Sequence, residues 1–493
     1  MKRLPLNSKL STLNFTIVLA FGVLLNGCSL NRQPISEIGE GAFYQDAAEL
    51  NAAVVACYNG LQTPMLQEWM FTETRSDNAR FYTTSTSSVS NTAILHYDQS
   101  SIETTDDNIY QYWLATYNNI ARCNSVLAHI DVVTDEALHN QYEGEVRFIR
   151  AHHYFNLVRL FGPVFIITER ISAEQAKQYD RSAVDLVYQQ IHEDLEKAST
   201  LLPEVYAPSE KGRTTAWAAK GLLAKVRMTE GLYDEETKAL LSDIITHGGF
   251  DLQSTYAAVF DISNELNSEI LFTIRYTGGG IGLGSPFANY FAPLQSGAYV
   301  INGSGMGYNY PTDDLVSAYE AGDERKDVSL ALNYVNTDNG TTVDRRWVRK
   351  YYSQVVLKND GDVDWPILRY ADILLLYAEV LNEQQGPEQA LPYVNRIRER
   401  AGLQPLGIDA CPNKHAMRMV IEKERRLEFA FENQRWFDLI RTDRALEVMN
   451  NHWATEAYYE AVSVPTLTKN LLLLPIPQRE IDINPNITQN IGY

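Results

Sequence analysis

Apolar residues recur at spacings of three and four along most of the chain after Phe43, a period typical of helices with one buried face. The pattern is clearest in two segments, residues 214–245 and 368–403. Each contains an apolar-striped helix, a tight turn (GLYDEE or QQGPEQ) and a second helix with the same spacing. Because such a hairpin buries its stripe only against a neighbour, the pattern predicts stacked units similar to tetratricopeptide repeats.

The same period predicts further helices at residues 108–130, 141–161 and 182–202. A Gly-Pro pair ends the second of these, and a proline follows the third. We therefore predict a mainly α fold of about four tetratricopeptide-like hairpins, separated by long irregular loop insertions of unequal length.

Three insertions interrupt the helical pattern, near residues 71–105, 276–311 and 333–364. The first is rich in Ser, Thr, Asn and Asp, and the second in glycine and tyrosine, so neither is expected to form regular helix. Loops on a rigid scaffold often carry binding residues. We predict one domain over residues 41–493, with these insertions as its candidate binding regions.

The composition and charge of the chain limit the classes of protein to which it can belong. Hydrophobic residues make up 45% of the 493-residue chain, which is enough for a large core. The formal charge is −20 and the pI is about 4.9. Nucleic-acid binding depends on Lys and Arg that neutralise phosphates, so this charge argues against a nucleic-acid partner.

The N-terminus has the features of a secretion signal. Lys2, Arg3 and Lys9 precede a 14-residue apolar stretch, which is short for a bilayer span. The stretch ends in Leu-Asn-Gly-Cys28, which resembles a bacterial lipobox. We predict a signal peptide at 1–27, lipidation of Cys28 and a tether at 28–40, so that lipid alone attaches the protein to the membrane. An ordinary signal peptide is the alternative.

Familiar catalytic patterns are missing from the sequence. It contains no GxSxG turn, dinucleotide fingerprint or P-loop, and its nine histidines are scattered. The three cysteines after Cys28 form neither a disulfide framework nor a zinc motif. The adjacent acids Asp106-Asp107 and Asp313-Asp314 are more typical of helix starts than of a glycosidase cleft.

One segment of the sequence has part of the pattern of a calcium-binding loop. DGDVDWP, residues 360–366, carries acids at alternate positions, as such a loop does at its start. It lacks the glycine and the later glutamate that complete the loop. A turn is therefore the favoured interpretation, and calcium is only weakly supported.

Residues 424–442, ERRLEFAFENQRWFDLIRT, combine many charges with large apolar side chains. The apolar residues cover nearly every side of the helix, which predicts burial. Charges stand at intrahelical pairing distances, for example Glu432 with Arg435 and Asp438 with Arg441. Asn433 tolerates the left-handed backbone that a helix break requires. We interpret the segment as a structural clasp and not as an active site.

With these pieces assembled, the sequence resembles the SusD/RagB family of nutrient-binding outer-membrane lipoproteins. Beyond the lipobox, seven segments carry the resemblance, in the order that the family shows: residues 145–164, 212–226, 307–320, 365–383, 394–403, 424–442 and 471–493. Two departures are present. The family usually has glycine where Asn433 stands, and the acidic residues that often follow the lipidated cysteine are replaced by Ser-Leu-Asn-Arg.

The resemblance implies a non-enzymatic protein without a cofactor. Family members capture oligosaccharides, or in some cases peptides, and act as an extracellular lid over a SusC-like TonB-dependent transporter of the outer membrane. A helical-repeat scaffold that binds a protein partner, and a hydrolase, remain alternatives. The missing acidic residues after Cys28 leave the outward-facing orientation less firmly supported.

Candidate ligand-binding residues follow from the chemistry of a sugar, which offers apolar C–H faces and a rim of hydroxyls. Aromatic rings with amide, carboxylate or guanidinium neighbours suit such a ligand in a shallow, wet site. The insertions offer these residues: Asp77, Asn78, Arg80, Phe81, Tyr82, His96 and Tyr97 in the first, Tyr290, Phe291, Tyr299 and Tyr308 in the second, and Trp347 in the third.

Overall fold

A computed structural model of the protein describes residues 43–82, 92–456, 458–459 and 464–493. The predicted signal peptide, the lipidation site and the tether lie outside these residues, as do nine residues of the first insertion. Within the described ranges, no helix combines the length and the apolar character needed to cross a bilayer.

Helices make up most of the described chain. Those before the second insertion are α1 (Ala47–Asn59), α2 (Gln62–Thr72), α3 (Thr92–Asp98), α4 (Asp107–Ala128), α5 (Glu136–Phe161), α6 (Ala173–Ala176), α7 (Val184–Leu201), α8 (Ala216–Thr229) and α9 (Glu235–His247). Those that follow are α10 (Phe287–Phe291), α11 (Asp313–Ala318), α12 (Arg325–Ser329), α13 (Tyr370–Gln384), α14 (Pro387–Arg400), α15 (Lys414–Glu428), α16 (Arg435–Arg441), α17 (Ala445–Thr455) and α18 (Gln478–Ile483).

The long helices stack largely in chain order. Helix α4 packs against α5, α5 against α7, and α7 against α8, and the stack continues through α9 to α13, α14 and α15. The hairpins predicted at 214–245 and 368–403 are α8–α9 and α13–α14. Their apolar stripes join one continuous core. The prediction of a mainly helical fold is confirmed.

Short strands connect the insertions to the stack. They are β1 (Ala79–Arg80), β2 (Ile270–Ile274), β3 (Tyr310–Pro311), β4 (Leu330–Asn336), β5 (Thr341–Val348) and β6 (Trp365–Arg369). Each pairs antiparallel with one partner, β1 with β3, β2 with β6 and β4 with β5.

The insertions are more regular than predicted. The third begins in the β4–β5 hairpin, where alternating and β-branched residues favour strands. Gly340 closes its turn, with a φ of 71° and an N–H that donates to Asn336 O at 2.8 Å. The second insertion contains the five-residue helix α10, although we expected no regular helix there.

The predicted helix starts are present at both acid pairs. The Asp106 carboxylate accepts hydrogen bonds from the first backbone N–H groups of α4, at 2.8 Å from Asn108 N. At the second pair, Thr312 caps α11, and its neighbours Asp313 and Asp314 lie in the first turn. Both acid pairs therefore stabilise helix N-termini, where carboxylates are favoured.

The 424–442 segment is the predicted clasp, broken in the middle. Helix α15 ends at Glu428 and α16 begins at Arg435, and the intervening Phe431 and Asn433 take positive φ values of 68° and 61°. The prediction of a left-handed Asn433 is therefore confirmed. A glycine at this position is not required, because asparagine adopts this conformation more readily than other side chains.

The clasp's charges pair mainly with other elements and not along one helix as predicted. Arg369, on β6, donates to Glu432 at 2.8 Å and to Glu428 at 3.0 Å, and to Glu269 at 2.5 Å. Arg400 also binds Glu428. All of these side chains are buried. Of the pairs predicted within the helix, Asp438 with Arg441 is present, at 2.9 Å.

Candidate functional site

The three insertions meet on one face of the helical stack. Strand β1, in the first, pairs with β3, in the second, so that Arg80 lies opposite Tyr310. The β4–β5 hairpin joins them through Arg345, whose Nη1 donates to Leu294 O at 2.6 Å. Side chains that are far apart in the sequence therefore share one surface.

Five side chains at this junction form a layered group that we call the tyrosine–arginine stack: Arg80, Tyr82, Tyr310, Arg345 and Tyr458. The rings of Tyr82 and Tyr310 are stacked, with centroids 4.5 Å apart and planes 12° apart. The Arg80 guanidinium lies 4.6 Å from the Tyr310 centroid and 4.1 Å from that of Tyr458. Arg345 lies 5.5 Å from the Tyr82 centroid. All five side chains remain partly exposed, so the stack faces solvent as an ordered group.

The backbone between two tyrosines of the second insertion directs them to different neighbours. Asn309 is buried and takes a φ of 58°. On one side of this left-handed residue, Tyr310 stacks on Tyr82. On the other, Tyr308 stacks on Trp69 of α2, with centroids 5.6 Å apart and planes 20° apart.

A second ring group lies beside the stack. Tyr290 and Tyr308 are half-buried and meet edge to face, at 5.6 Å between centroids. Burial raises the pKa of the Tyr290 hydroxyl, which therefore stays protonated at neutral pH. Phe291 is buried beneath them against Trp69, at 5.4 Å. Tyr290 and Tyr308 are therefore available at the surface, whereas Phe291 supports them from below.

Two predicted residues, Trp347 and Tyr299, contact the β4–β5 hairpin and differ in how far they are buried. Trp347 is 7% exposed, and its Nε1 donates to Asn333 O at 3.3 Å, so the indole mainly packs the hairpin onto the second insertion. Tyr299 is more open. Its hydroxyl donates to Asp338 in the hairpin turn, and this hydrogen bond raises the pKa of Tyr299.

Asp77 and Asn78 do not face a ligand, contrary to our prediction. Both are buried. Arg435 donates to the two Asp77 carboxylate oxygens at 2.7 and 2.8 Å, and Arg426 donates to Asn78 Oδ1 at 3.0 Å. Burial alone would raise the pKa of Asp77, but Arg426 and Arg435 together hold it well below its usual range. These two residues connect the first insertion to the clasp.

Phe81 and Tyr97 are also interior side chains. Phe81 is 7% exposed, while Tyr97 is 1% exposed and its hydroxyl donates to Asp106 at 2.6 Å. His96 is half-buried, and its Nδ1 lies 3.0 Å from Ser101 Oγ. Of the predicted residues in the first insertion, Arg80 and Tyr82 thus remain as members of the stack.

The prediction missed Tyr310, Tyr458 and Arg345. The first follows Tyr308 in the tyrosine-rich GYNYP segment, and the third stands two residues before Trp347, so both were adjacent to residues that we selected. Tyr458 carried no signal, because it lies outside the three insertions. Only the fold brings it to Arg80.

The alternating acids of residues 360–366 hold a loop. Asp360 Oδ2 accepts from the amides of Gly279 and Gly280 at 2.8 and 2.7 Å, and Asp362 Oδ1 accepts from Gly278 at 2.9 Å. This contact fixes the glycine-rich start of the second insertion and agrees with the turn interpretation. In the described part of the chain, no group of three or more His, Cys, Asp or Glu side chains is arranged to hold a metal ion.

Two larger clefts lie elsewhere on the scaffold. One, of about 400 Å³, is lined by residues of α13, α15 and α16. Several of its charged groups are paired, as Glu379 is with Arg441 at 2.7 Å and Glu383 with Arg418 at 2.5 Å. The other, of about 580 Å³, lies beside β2. Neither cleft includes a residue of the tyrosine–arginine stack.

Known proteins resemble this chain along most of its length. A family model described as the SusD family matches residues 308–493, and one described as starch-binding and associating with the outer membrane matches residues 43–228. SusD-like protein P2 of Formosa agariphila is 28% identical, in an alignment that covers 95% of this chain and 97% of the relative.

Solved structures share the fold. A laminarin-binding SusD-like protein superposes with a TM-score of 0.76 at 25% identity, covering 91% of this chain and 100% of its own. A SusD superfamily protein from Parabacteroides distasonis gives a TM-score of 0.76 at 26% identity, covering 90% of this chain and 99% of its own.

Stacked helical hairpins that carry a face built from insertions place the protein among helical-repeat scaffolds. Two family models match, one towards each end, so most of the chain resembles proteins of the SusD family.

Proposed function

We propose that this protein is a cell-surface glycan-binding protein that delivers oligosaccharides to a SusC-like TonB-dependent transporter and performs no catalysis itself. The observation that carries the proposal is the tyrosine–arginine stack, which presents partly exposed rings and guanidinium groups where the three insertions meet. The laminarin-binding relative, similar over nearly the whole chain, supports a carbohydrate ligand.

The chemistry of the stack suits a sugar. The rings of Tyr82 and Tyr310 each have one face against the other ring and the second face against Arg345 or Arg80. The stack therefore offers ring edges, tyrosine hydroxyls and guanidinium N–H groups, which hydrogen-bond to sugar hydroxyls. Tyr82 and Tyr310 hold each other in place, so little side-chain freedom is lost on binding. Tyr290 and Tyr308 extend the aromatic surface for a longer oligosaccharide.

Isothermal titration of the protein carrying Cys28→Ser, with laminari-oligosaccharides, other oligosaccharides and a peptide mixture, tests the proposal. We expect an oligosaccharide to bind and Tyr310→Ala to weaken its affinity about tenfold to a hundredfold, as expected for loss of a packed ring. Tyr110→Ala is the matched control, because that ring also carries an arginine, Arg479 at 4.4 Å, but lies on α4 outside the stack. Binding of peptides alone would favour the peptide-importing alternative.

The membrane attachment is part of the same proposal. We infer that residues 1–27 are removed as a signal peptide and that Cys28 receives the lipid, on the basis of the Leu-Asn-Gly-Cys sequence. Cys28→Ala should shift the protein from the membrane to the soluble fraction. A protein that stays in the membrane after this change would contradict the assigned anchor. Protease treatment of whole cells tests the outward orientation, since an outward-facing protein is cleaved without lysis.

The transporter partner can be tested separately from the ligand. Affinity purification of the full chain from detergent-solubilised outer membranes should recover a TonB-dependent transporter. Deletion of the gene should reduce uptake of the bound oligosaccharide. Unchanged uptake, with a non-transporter protein recovered, would favour the alternative of a protein-binding scaffold.

A further inference from the structure

The arginines of this acidic chain are commonly paired with carboxylates, and two members of the stack are exceptions. Near the stack, Arg346 pairs with Asp313, and Arg426 pairs with Asp314 at 2.7 Å. Arg80 and Arg345 form no ion pair with any residue in the described ranges. Two positive charges that have no carboxylate partner among the described residues therefore lie beside the tyrosines.

Each of these two guanidinium groups is fixed in position but still has donors available. Arg80 is held by the rings of Tyr310 and Tyr458 and by a hydrogen bond from its Nη1 to Phe81 O at 3.1 Å. Arg345 is held by its bond to Leu294 O. The Nη2 group of neither arginine donates to another residue of the described chain. These N–H groups remain free to bind a ligand.

Asp98 and Asp344 lie near the two arginines but form no ion pair with either of them in the described part of the chain. Asp98 accepts hydrogen bonds from Phe81 N at 3.1 Å and from the Tyr459 hydroxyl at 2.5 Å, and it is buried. Burial raises the pKa of Asp98 to about 7, so its negative charge is only partly developed at neutral pH. Asp344 is next to Arg345 on β5, at an irregularity in the pairing with β4, and within the described residues it forms no ion pair with Arg345.

We propose that the stack binds glycans with acidic groups, either uronate carboxylates or sulfate esters, and that Arg80 and Arg345 bind those groups. The proposal rests on the proposed function, because it names the class of glycan that the same face takes. A guanidinium presents parallel N–H donors that match the oxygens of a carboxylate or a sulfate. The tyrosine hydroxyls would hydrogen-bond to the sugar hydroxyls, while Arg345 at one end of the stack and Arg80 between Tyr310 and Tyr458 bind its charge.

Titration with matched ligands tests this assignment. Oligogalacturonate and its methyl ester differ in the carboxylate charge, a sulfated galactan oligosaccharide provides sulfate, and laminari-oligosaccharides provide a neutral reference. We expect one acidic ligand to bind at least about tenfold more tightly than the neutral ones, with an affinity that falls as salt is raised. The carboxylate and sulfate arms distinguish the two sources of charge.

Substitutions of Arg80 and Arg345 test whether these two side chains bind the acidic groups of the ligand. Arg80→Gln and Arg345→Gln should each weaken the acidic ligand about tenfold or more and reduce its salt dependence, and they should weaken a neutral glycan less than the acidic one. Arg80→Lys and Arg345→Lys should retain salt dependence, because the charge remains. Arg122→Gln is the control, since Arg122 is exposed on α4, remote in sequence from the stack. A thermal melt of each variant separates lost binding from lost folding.

The outcomes separate the two proposals. Neutral and acidic glycans that bind equally, with both glutamine variants unaffected, would overturn the acidic-glycan assignment and leave glycan binding intact. Acidic binding that persists in both variants would also overturn it. The absence of any glycan binding would reject the proposed function itself.

Discussion

Arginine has different roles in the clasp and in the stack. Arg369 of β6, which pairs with the clasp, is 1% exposed and is surrounded by Glu269, Glu428 and Glu432. In the stack, Arg345 contacts a ring and a carbonyl oxygen and has no carboxylate partner among the described residues. Buried ions persist only when they are paired, whereas a partly exposed guanidinium can remain unpaired because water solvates it. A paired arginine therefore stabilises the fold, while an unpaired one at the surface is available for binding.

Arginine-to-glutamine substitutions beside the clasp and in the stack should differ most in their effect on the free energy of unfolding. Arg369→Gln leaves three buried carboxylates without their shared cation, so we expect a loss of about 3–5 kcal/mol in the free energy of unfolding. Chemical denaturation of the purified protein measures this loss. The surface change Glu388→Gln, on α14, should stay within about 0.5 kcal/mol. A near-native stability of the Arg369 variant would contradict the stabilising role assigned to its buried ion pairs.

Arg435→Ala tests the link between the clasp and the first insertion. It leaves Asp77 buried with Arg426 as its remaining cation, so we expect a loss of about 2–4 kcal/mol and a lower yield. Thermal melting, in parallel with ligand titration, measures both properties. Normal stability with a selective loss of ligand binding would instead make the clasp part of the binding site.

The depressed pKa of the clasp acids predicts sensitivity to acid. Burial would raise the pKa of Glu428, but Arg400, Arg369 and Arg325 lower it to about 2. A carboxyl with a depressed folded-state pKa stabilises the fold above its unfolded pKa, and this contribution is lost as the pH falls towards 2. We expect the unfolding free energy to fall steeply between about pH 4.5 and 2. A flat profile over that interval would contradict the pairing described for Glu428.

Asp98 should show the opposite dependence on pH. Its pKa is raised to about 7 by burial, so the folded state binds the proton more tightly than the unfolded state does. The stabilisation is present at low pH and is lost as the pH rises through 7. The loss runs at about 1.4 kcal/mol per pH unit from the unfolded pKa near 4 up to the folded pKa, and the stability levels off above it. Thermal melts of Asp98→Asn should lack this step, and a step of unchanged size would assign it to another group.

Arg345→Gln should have the smallest effect on stability. It removes one hydrogen bond and one ring contact at a partly exposed position, so we expect a change of less than about 1 kcal/mol. The same denaturation experiment as for Arg369→Gln makes the two values directly comparable. A loss as large as in the clasp would mean that Arg345 is a structural residue.

The sequence was sufficient for the scaffold but only partly for the site. The 3.6-residue period of 214–245 and 368–403 reports which face of each helix is buried, and that local information fixed the hairpins. The backbone preference of asparagine likewise located the clasp break at Asn433. The β4–β5 hairpin carried a comparable signal, with alternation on both sides of Asn-Gly, but we had assigned it to an irregular insertion.

The burial of polar site residues could not be predicted in the same way. Asp77 and Arg435 are separated by 358 positions, and no local pattern indicates that they pair. The choice of Tyr458 as a neighbour of Arg80 also depends on tertiary packing. An aspartate or tyrosine in a polar segment has the same appearance in sequence whether it supports the loop or contacts a ligand.

The arrangement around Arg369 has a consequence for how such a protein can diverge. A single exchange at any of its four charged positions unbalances a buried group, so tolerated change there requires concerted replacement. Tyr82, Tyr310 and Arg345 are not bound by buried ion pairs of this kind. Each can therefore be substituted alone without unfolding the helical scaffold. The same helical scaffold can thus carry different ligand preferences, acquired one residue at a time.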